Sequence, residues 1–135
     1  MVRLLTPARR PRLALILASG LVGSLLSAAP ALAGDAAHGK SVFASQCSMC
    51  HSPAKGGAAI MGPSLFGIVG RPVASVSGFA YSPSMKAYGG AWSEDRLRGY
   101  LPAPAKAVPG TKMMFAGVKN PAQLDDLIAY LATLK

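Results

Sequence analysis

Cys47-Ser48-Met49-Cys50-His51 constrains this chain more than any other feature. Two thiols stand three positions apart, with a histidine directly after the second, and they are the only two cysteines in the sequence. The spacing is that of covalent c-type haem attachment. Each thiol adds across one porphyrin vinyl group, and the short turn brings both sulfurs to one edge of the ring. The following histidine is then held beneath the metal, where a ring nitrogen can bind iron. Three other uses of the pair fit less well. Structural zinc takes four ligands, usually as two separated pairs, and His38 is the only other histidine. A thioredoxin-like redox pair belongs in a βαβ pattern, and no strand-rich run is present. A disulfide across so short a loop is strained and reducible.

The first 33 residues read as an address. Arg3, Arg9, Arg10 and Arg12 make a basic start, an uncharged apolar stretch follows from Leu13, and Ala31-Leu32-Ala33 offers small residues where a signal peptidase reads. This is the pattern of a secretory signal peptide, with cleavage expected after Ala33. The rival is an uncleaved anchor. Leu13 to Ala33 is 21 uncharged residues, long enough to span a bilayer, but Gly20, Gly23 and Pro30 interrupt it. Membrane contact is expected only if the segment is retained.

Residues 34–135 then form one small domain. A chain of this length buries a modest fraction of its surface, and a large flat haem would supply much of the missing core. Four of the 14 basic residues and none of the five acids precede residue 34, so the mature chain carries +5 rather than +9. That balance suits an acidic protein partner. Nucleic acid is not indicated, because there is no basic run or basic helical stripe.

The domain reads as all-α. Asp35 caps a helix from about Ala36 to Gln46 that turns Val42 and Phe43 inward. A glycine-rich stretch from Gly56 to Gly70 excludes any long element. Ser82-Pro83 opens a short helix ending near Gly89. Ser93, followed by Glu94 and Asp95, starts another that places Leu97, Tyr100 and Leu101 together and ends at Pro102. Asn120-Pro121 opens the last helix, with Gln123 at the capping-box position. There Leu124, Leu127, Ile128, Leu131 and Leu134 repeat at helical spacing.

Iron needs a second axial ligand or an open face. His38 lies too close to the attachment site to reach the far side, and Met49 is inside the attachment turn. Met61 and Met85 read as packing residues. Met113 and Met114, in Pro109-Gly110-Thr111-Lys112-Met113-Met114-Phe115, lie far enough along to cover the opposite face. Spacing alone does not choose between them.

Beyond the haem motif, Gly39 and Phe43, Gly62-Pro63-Ser64-Leu65, Gly67 through Arg71, Trp92, Tyr100-Leu101, Pro109 to Met113, Phe115-Ala116-Gly117 and Leu127 to Leu131 fall in order. In this the chain resembles the mitochondrial-type class I cytochromes c, close to their soluble bacterial periplasmic members. The likeness covers nearly all of residues 39 to 135. It implies three to five helices and Gly/Pro-rich loops wrapped around one covalent haem. It implies thioether links at Cys47 and Cys50, and iron between His51 and Met113 rather than Met114. It further implies that His51 donates to the Pro63 carbonyl, and that Tyr100 reaches the methionine sulfur. Arg71, Tyr81 and Trp92 are expected at the buried propionate and Thr111 at the other. Gly39 and Phe43 are expected against Leu127 and Tyr130 where the terminal helices cross.

Departures from the family pattern are also informative. Met85 stands where a hydrogen-bonding asparagine is common, and Ala59 where mitochondrial relatives have a histidine. Lys106, Lys112 and Lys119 match a ring of docking lysines, but Gln46, Ile60 and Ala105 replace others. The expected docking face has fewer charges and more apolar contact. The resemblance implies a monomeric, non-enzymatic electron carrier of the periplasm, docking redox proteins at the haem edge. An open sixth site would instead mean peroxide reduction or gas binding. A large apolar interface would mean a dedicated dehydrogenase subunit.

Overall fold

Each of the four anticipated helices begins where its cap residue places it. In the computed structural model, which describes residues 34–135, α1 spans Ala36–Gln46, and the Asp35 carboxylate accepts from the Ala37 and His38 amides at 2.8 and 3.2 Å. Helix α2, Pro83–Tyr88, starts with Ser82 accepting from the Met85 amide at 3.1 Å. Helix α3, Glu94–Tyr100, starts with Ser93 accepting from Arg96. Helix α4 is a single turn, Pro104–Ala107, without a side-chain cap. Helix α5, Pro121–Thr133, starts with Asn120 accepting from Ala122 and Gln123. The expected signal segment and its cleavage site lie outside the described residues.

One boundary and one helix differ from the sequence reading. Helix α3 stops at Tyr100, with Leu101 as a C-cap that keeps helical geometry (φ −63°, ψ −28°), because Pro102 has no N–H to continue the ladder and its ring crowds the preceding turn. Helix α4 was not anticipated. Pro102-Ala103-Pro104 reads as a breaker, yet Pro104 sits at the first helical position, where its missing N–H costs nothing.

The terminal helices α1 and α5 form the principal helix–helix contact, and α3 packs on α5. Glycine makes the first contact close. A Cβ at Gly39 would overlap the Asp126 carbonyl and lie 2.9 Å from the Tyr130 Cβ. Phe43 and Tyr130 pack at 5.5 Å between ring centroids. Val42 and Phe43 from α1, Leu97 and Tyr100 from α3, and Leu124, Leu127, Ile128 and Leu131 from α5 are all buried. Burying each such aliphatic or aromatic side chain is worth about 1.5–3 kcal/mol.

Asp126 holds the outer end of this crossing. One carboxylate oxygen accepts the Asp35 amide at 2.6 Å, and the other meets His38 Nδ1 at 2.5 Å. The His38 contact, then the Asp35 amide, keep this carboxyl below the usual carboxylate range. The neighbouring Asp125 accepts from Arg98 of α3 at 3.1 Å. The long glycine-rich connection closes through an isolated antiparallel bridge between Pro72 and Ala91.

Gly39→Ala should lower stability by about 1–3 kcal/mol, read as the guanidinium midpoint of the holoprotein. An unchanged midpoint would show that the terminal helices part freely. Because the Asp126 carboxyl is depressed in the folded state, its contribution is complete above the ordinary carboxylate range and is lost as pH falls through the depressed value. Asp126→Asn should therefore flatten the acid limb of the stability–pH curve and leave the neutral-to-acid slope from other carboxylates in place.

Candidate functional site

After α1 the chain turns tightly, with the Cys50 and His51 amides both donating to the Cys47 carbonyl at 3.0 and 2.9 Å. That turn sets Cys47, Cys50 and His51 into the wall of one cavity of about 410 Å³. Arg71, Tyr81, Trp92, Tyr100, Thr111 and Met113 line the same cavity. All nine site residues expected from the sequence are thus brought together.

His51 is aimed by its neighbours. Its Nδ1–H donates to the Pro63 carbonyl at 2.8 Å, which leaves Nε2 as the free nitrogen. Burial lowers the imidazole pKa from its ordinary value, and the Pro63 carbonyl pulls partly back. The neutral form that a metal requires is therefore favoured. The loop that carries Pro63 is tied to the attachment turn, with the Gly62 amide on the Cys50 carbonyl at 2.8 Å and the Leu65 amide on the Ser52 carbonyl at 2.9 Å. Gly62 has no substitute, since a Cβ there would overlap the His51 ring.

Cys47 is not poised for redox exchange. Burial pushes Cys47 up to about 11, with Cys50 adding to the effect. Exchange-active cysteines have lowered values instead. Nor does a zinc cluster form: among the described residues no group of three or more His, Cys, Asp or Glu could hold a metal ion.

The structure separates the two adjacent methionines. Met113 is half-buried, and its sulfur accepts the Tyr100 hydroxyl at 3.3 Å. Its amide donates to Thr111 Oγ1 at 3.2 Å. Met114 is fully exposed. Burial raises the Tyr100 phenol, against the hydrogen bond with Thr111, while Tyr88 adds to the rise. Tyr100 thus keeps the proton it donates. The loop returns to the core at Gly117, where φ is +97° and a Cβ would overlap the Pro102 carbonyl. There the Val118 amide closes on the Leu101 carbonyl at 3.0 Å.

On the polar side, Arg71 donates to the Phe66 and Ser64 carbonyls at 2.7 and 2.8 Å. Burial lowers its pKa, with Tyr81 opposing. Its backbone carbonyl accepts the Trp92 amide at 2.9 Å, so the guanidinium and the indole are set on adjoining segments. The Tyr81 hydroxyl accepts the Val76 amide at 3.4 Å, which leaves its own proton available.

Met85 is packed, 8% exposed, as expected, but Met61 is 65% exposed at the cavity rim and is not a packing residue. Sequence reasoning also missed Tyr88 and Arg96. The Arg96 guanidinium lies 4.0 Å over the Tyr88 ring and donates to the Tyr88 carbonyl at 2.7 Å. Tyr88 in turn packs on Trp92 and Tyr100. A spacing of eight residues across a turn is no recognisable pattern, so only the ring-rich composition of this stretch hinted at it.

Two thiols on one turn, an oriented imidazole, a thioether and apolar walls are the donor set that covalent haem requires. The sequence profile of the family described as cytochrome c matches residues 36–135. The chain belongs to the cytochrome c family. It is 46% identical over 112 residues to a cytochrome c2 of Blastochloris viridis, covering 83% of this chain and 87% of that protein. With a cytochrome c of Chlamydomonas reinhardtii it shares 47% identity over 103 residues, covering 76% and 92%. A cytochrome c homolog of Rickettsia bellii matches at 44% over 91 residues, covering 67% and 53%. This cytochrome has the small all-helical class I fold, carries one covalently attached haem c, and is a haem-based electron carrier. No described helix is long and apolar enough to cross a membrane.

Gly62→Ala should drive the His51 ring off the Pro63 carbonyl. The expected readouts are loss of a slowly exchanging His51 Nδ1–H resonance and a stability drop of about 1–3 kcal/mol. A retained resonance would mean that the loop yields instead of the ring.

Proposed function

We propose that this cytochrome is an exported, periplasmic one-electron shuttle with His51 and Met113 as its axial ligands. It takes electrons from a membrane quinol-oxidising complex or a periplasmic dehydrogenase and passes them to a terminal oxidase or a photosynthetic reaction centre. The observation that carries this reading is that the Met113 sulfur lines the same cavity as His51 and is held there by Tyr100. A preset ligand on each protein segment leaves no seat for a substrate. When bound, haem supplies a reversible one-electron iron couple. The chain's own residues set its working range. The neutral thioether of Met113 favours the reduced state and raises the potential, and the hydrogen bond from Tyr100 fixes which lone pair of the sulfur remains free.

Arg71, Tyr81 and Trp92 are assigned to the buried propionate and Thr111 to the other. An unpaired carboxylate in that wall would cost several kcal/mol. Cys47 and Cys50 would hold the haem through two thioether bonds from one turn in the cavity wall. Export is supported by the signal pattern before Gly34 and by likeness to a protein named cytochrome c2.

The docking face is assigned to the cavity mouth. Met49, Met61 and Met114 stand there at 79%, 65% and 100% exposure. Lys112 and Lys119 are tied back to the carbonyls of Ala80 and Pro102 at 3.2 and 2.5 Å, and Lys106 stands exposed. Adaptable methionine side chains with few free charges suit brief docking of more than one redox protein.

Met113→Ala should open the sixth site, allow rapid carbon monoxide binding by the ferrous protein, and lower the midpoint potential by on the order of 100 mV. Met114→Ala should leave ligation and potential nearly unchanged. Visible spectra with a redox titration check both, and the reverse pair of results would transfer the ligand role to Met114. Rapid carbon monoxide binding by the unaltered protein would replace the shuttle with an open-site haem protein.

A further inference from the structure

Gly34 lies flat against α5. A Cβ there would overlap the Asp125 carbonyl group and lie 2.6 Å from the Asp126 nitrogen. The next amide, of Asp35, donates to Asp126 Oδ1 at 2.6 Å. One residue of backbone spans about 3.6 Å at most, so the Gly34 nitrogen is within about 6 Å of that carboxylate oxygen. The charged groups facing this point come from three elements. Asp35 and His38 belong to the start of α1, and Asp125 and Asp126 to α5. Arg98 of α3 is already bound to Asp125 and to Asp95. His38 in turn meets Asp126 Oδ2, so three carboxylates share two basic partners where Gly34 begins, and the small-residue signature Ala31-Leu32-Ala33 ends immediately before it.

We infer that processing supplies a further cation: the Gly34 α-ammonium, created by cleavage after Ala33, docks against the Asp35 and Asp126 carboxylates and locks the start of α1 onto α5. This rests on the export reading above. A signal peptidase adds water across the Ala33–Gly34 peptide bond. Ala33 keeps a carboxylate, and Gly34 gains an amine that takes up a proton. In the precursor the same nitrogen is a neutral amide. The clasp therefore forms only after the chain has crossed unfolded. Glycine at this position fits the role, because any side chain would hold the amine away from α5. The amine gains carboxylate partners on folding, so its folded pKa is raised. Its stabilisation is complete below the ordinary α-amine range and is lost as pH rises through the raised value.

The test uses the exported, haem-loaded protein. Its intact mass gives the terminus, and an NMR titration of ¹³C-labelled Gly34 follows the amine. The titration midpoint should lie above the ordinary range of about 7.7–8.0 and return to it in Asp126→Asn. Acetylating the terminus, which leaves Asp126 in place, should raise the unfolding equilibrium constant about three- to tenfold at neutral pH. A mass showing another terminus would overturn both this proposal and the cleavage reading. A chain that starts at Gly34 but whose amine titrates in the ordinary range, or is indifferent to Asp126→Asn, overturns this proposal alone. So does acetylation without effect on unfolding.

Discussion

A cavity of about 410 Å³ at the centre of 102 residues is the constraint on which this fold depends. So small a domain has little apolar surface to spare, yet it turns Ile68, Met85, Trp92, Leu97, Leu127 and Leu131 toward a space that it does not fill with its own atoms. The covalent haem completes the core as well as supplying the chemistry. For that reason the helices and the site cannot be separated. Leu97, Leu127 and Leu131 hold α3 and α5 in the core and at the same time wall the cavity.

The proposed ligands, by contrast, come from loops, and glycines set how closely those loops approach. Gly62 lets the Pro63 segment pass beside the His51 ring, and Gly117 lets the methionine loop fold onto the end of α3. Both loops are then fixed by backbone bonds to elements that already carry a site residue: Gly62 to Cys50, and Val118 to Leu101, next to Tyr100. Tyr100 links the two levels. It is buried in the core of α3, and its hydroxyl holds the Met113 sulfur. If Met113 binds iron as proposed, a potential set by its thioether would be tied to helix packing rather than to loop conformation alone.

The residues that sequence reading found are those whose signal is local or repeats with helical period. Asp35, Ser82, Ser93 and Asn120 announce caps within four residues, and the leucine stripe of α5 declares its buried face. The nine expected site residues in the cavity wall were legible because one spacing, Cys47 to His51, has a single dominant chemistry, and because the family pattern orders the rest. The unread features involve pairs that only the tertiary fold brings together. Asp126 meets Asp35 and His38 from about ninety positions away, and Arg96 stacks on Tyr88 across a turn. Met61 was misplaced because methionine serves equally in a core and on a rim, and only the surroundings decide.

The same distinction bears on how a shuttle of this kind would meet its partners. Long-range charge speeds encounter, but its reach is about 10 Å at 0.1 M salt. Lysines bound to backbone carbonyls steer by charge, yet they are less free to form specific ion pairs. Lys112 and Lys119 are held in this way. On the proposed docking face, contact would then fall to Met49, Met61 and Met114, whose unbranched side chains reshape against different surfaces at small cost. Modest steering with adaptable apolar contact would give short-lived complexes that tolerate several partners. That compromise serves a carrier that must leave its donor as readily as it reaches its acceptor.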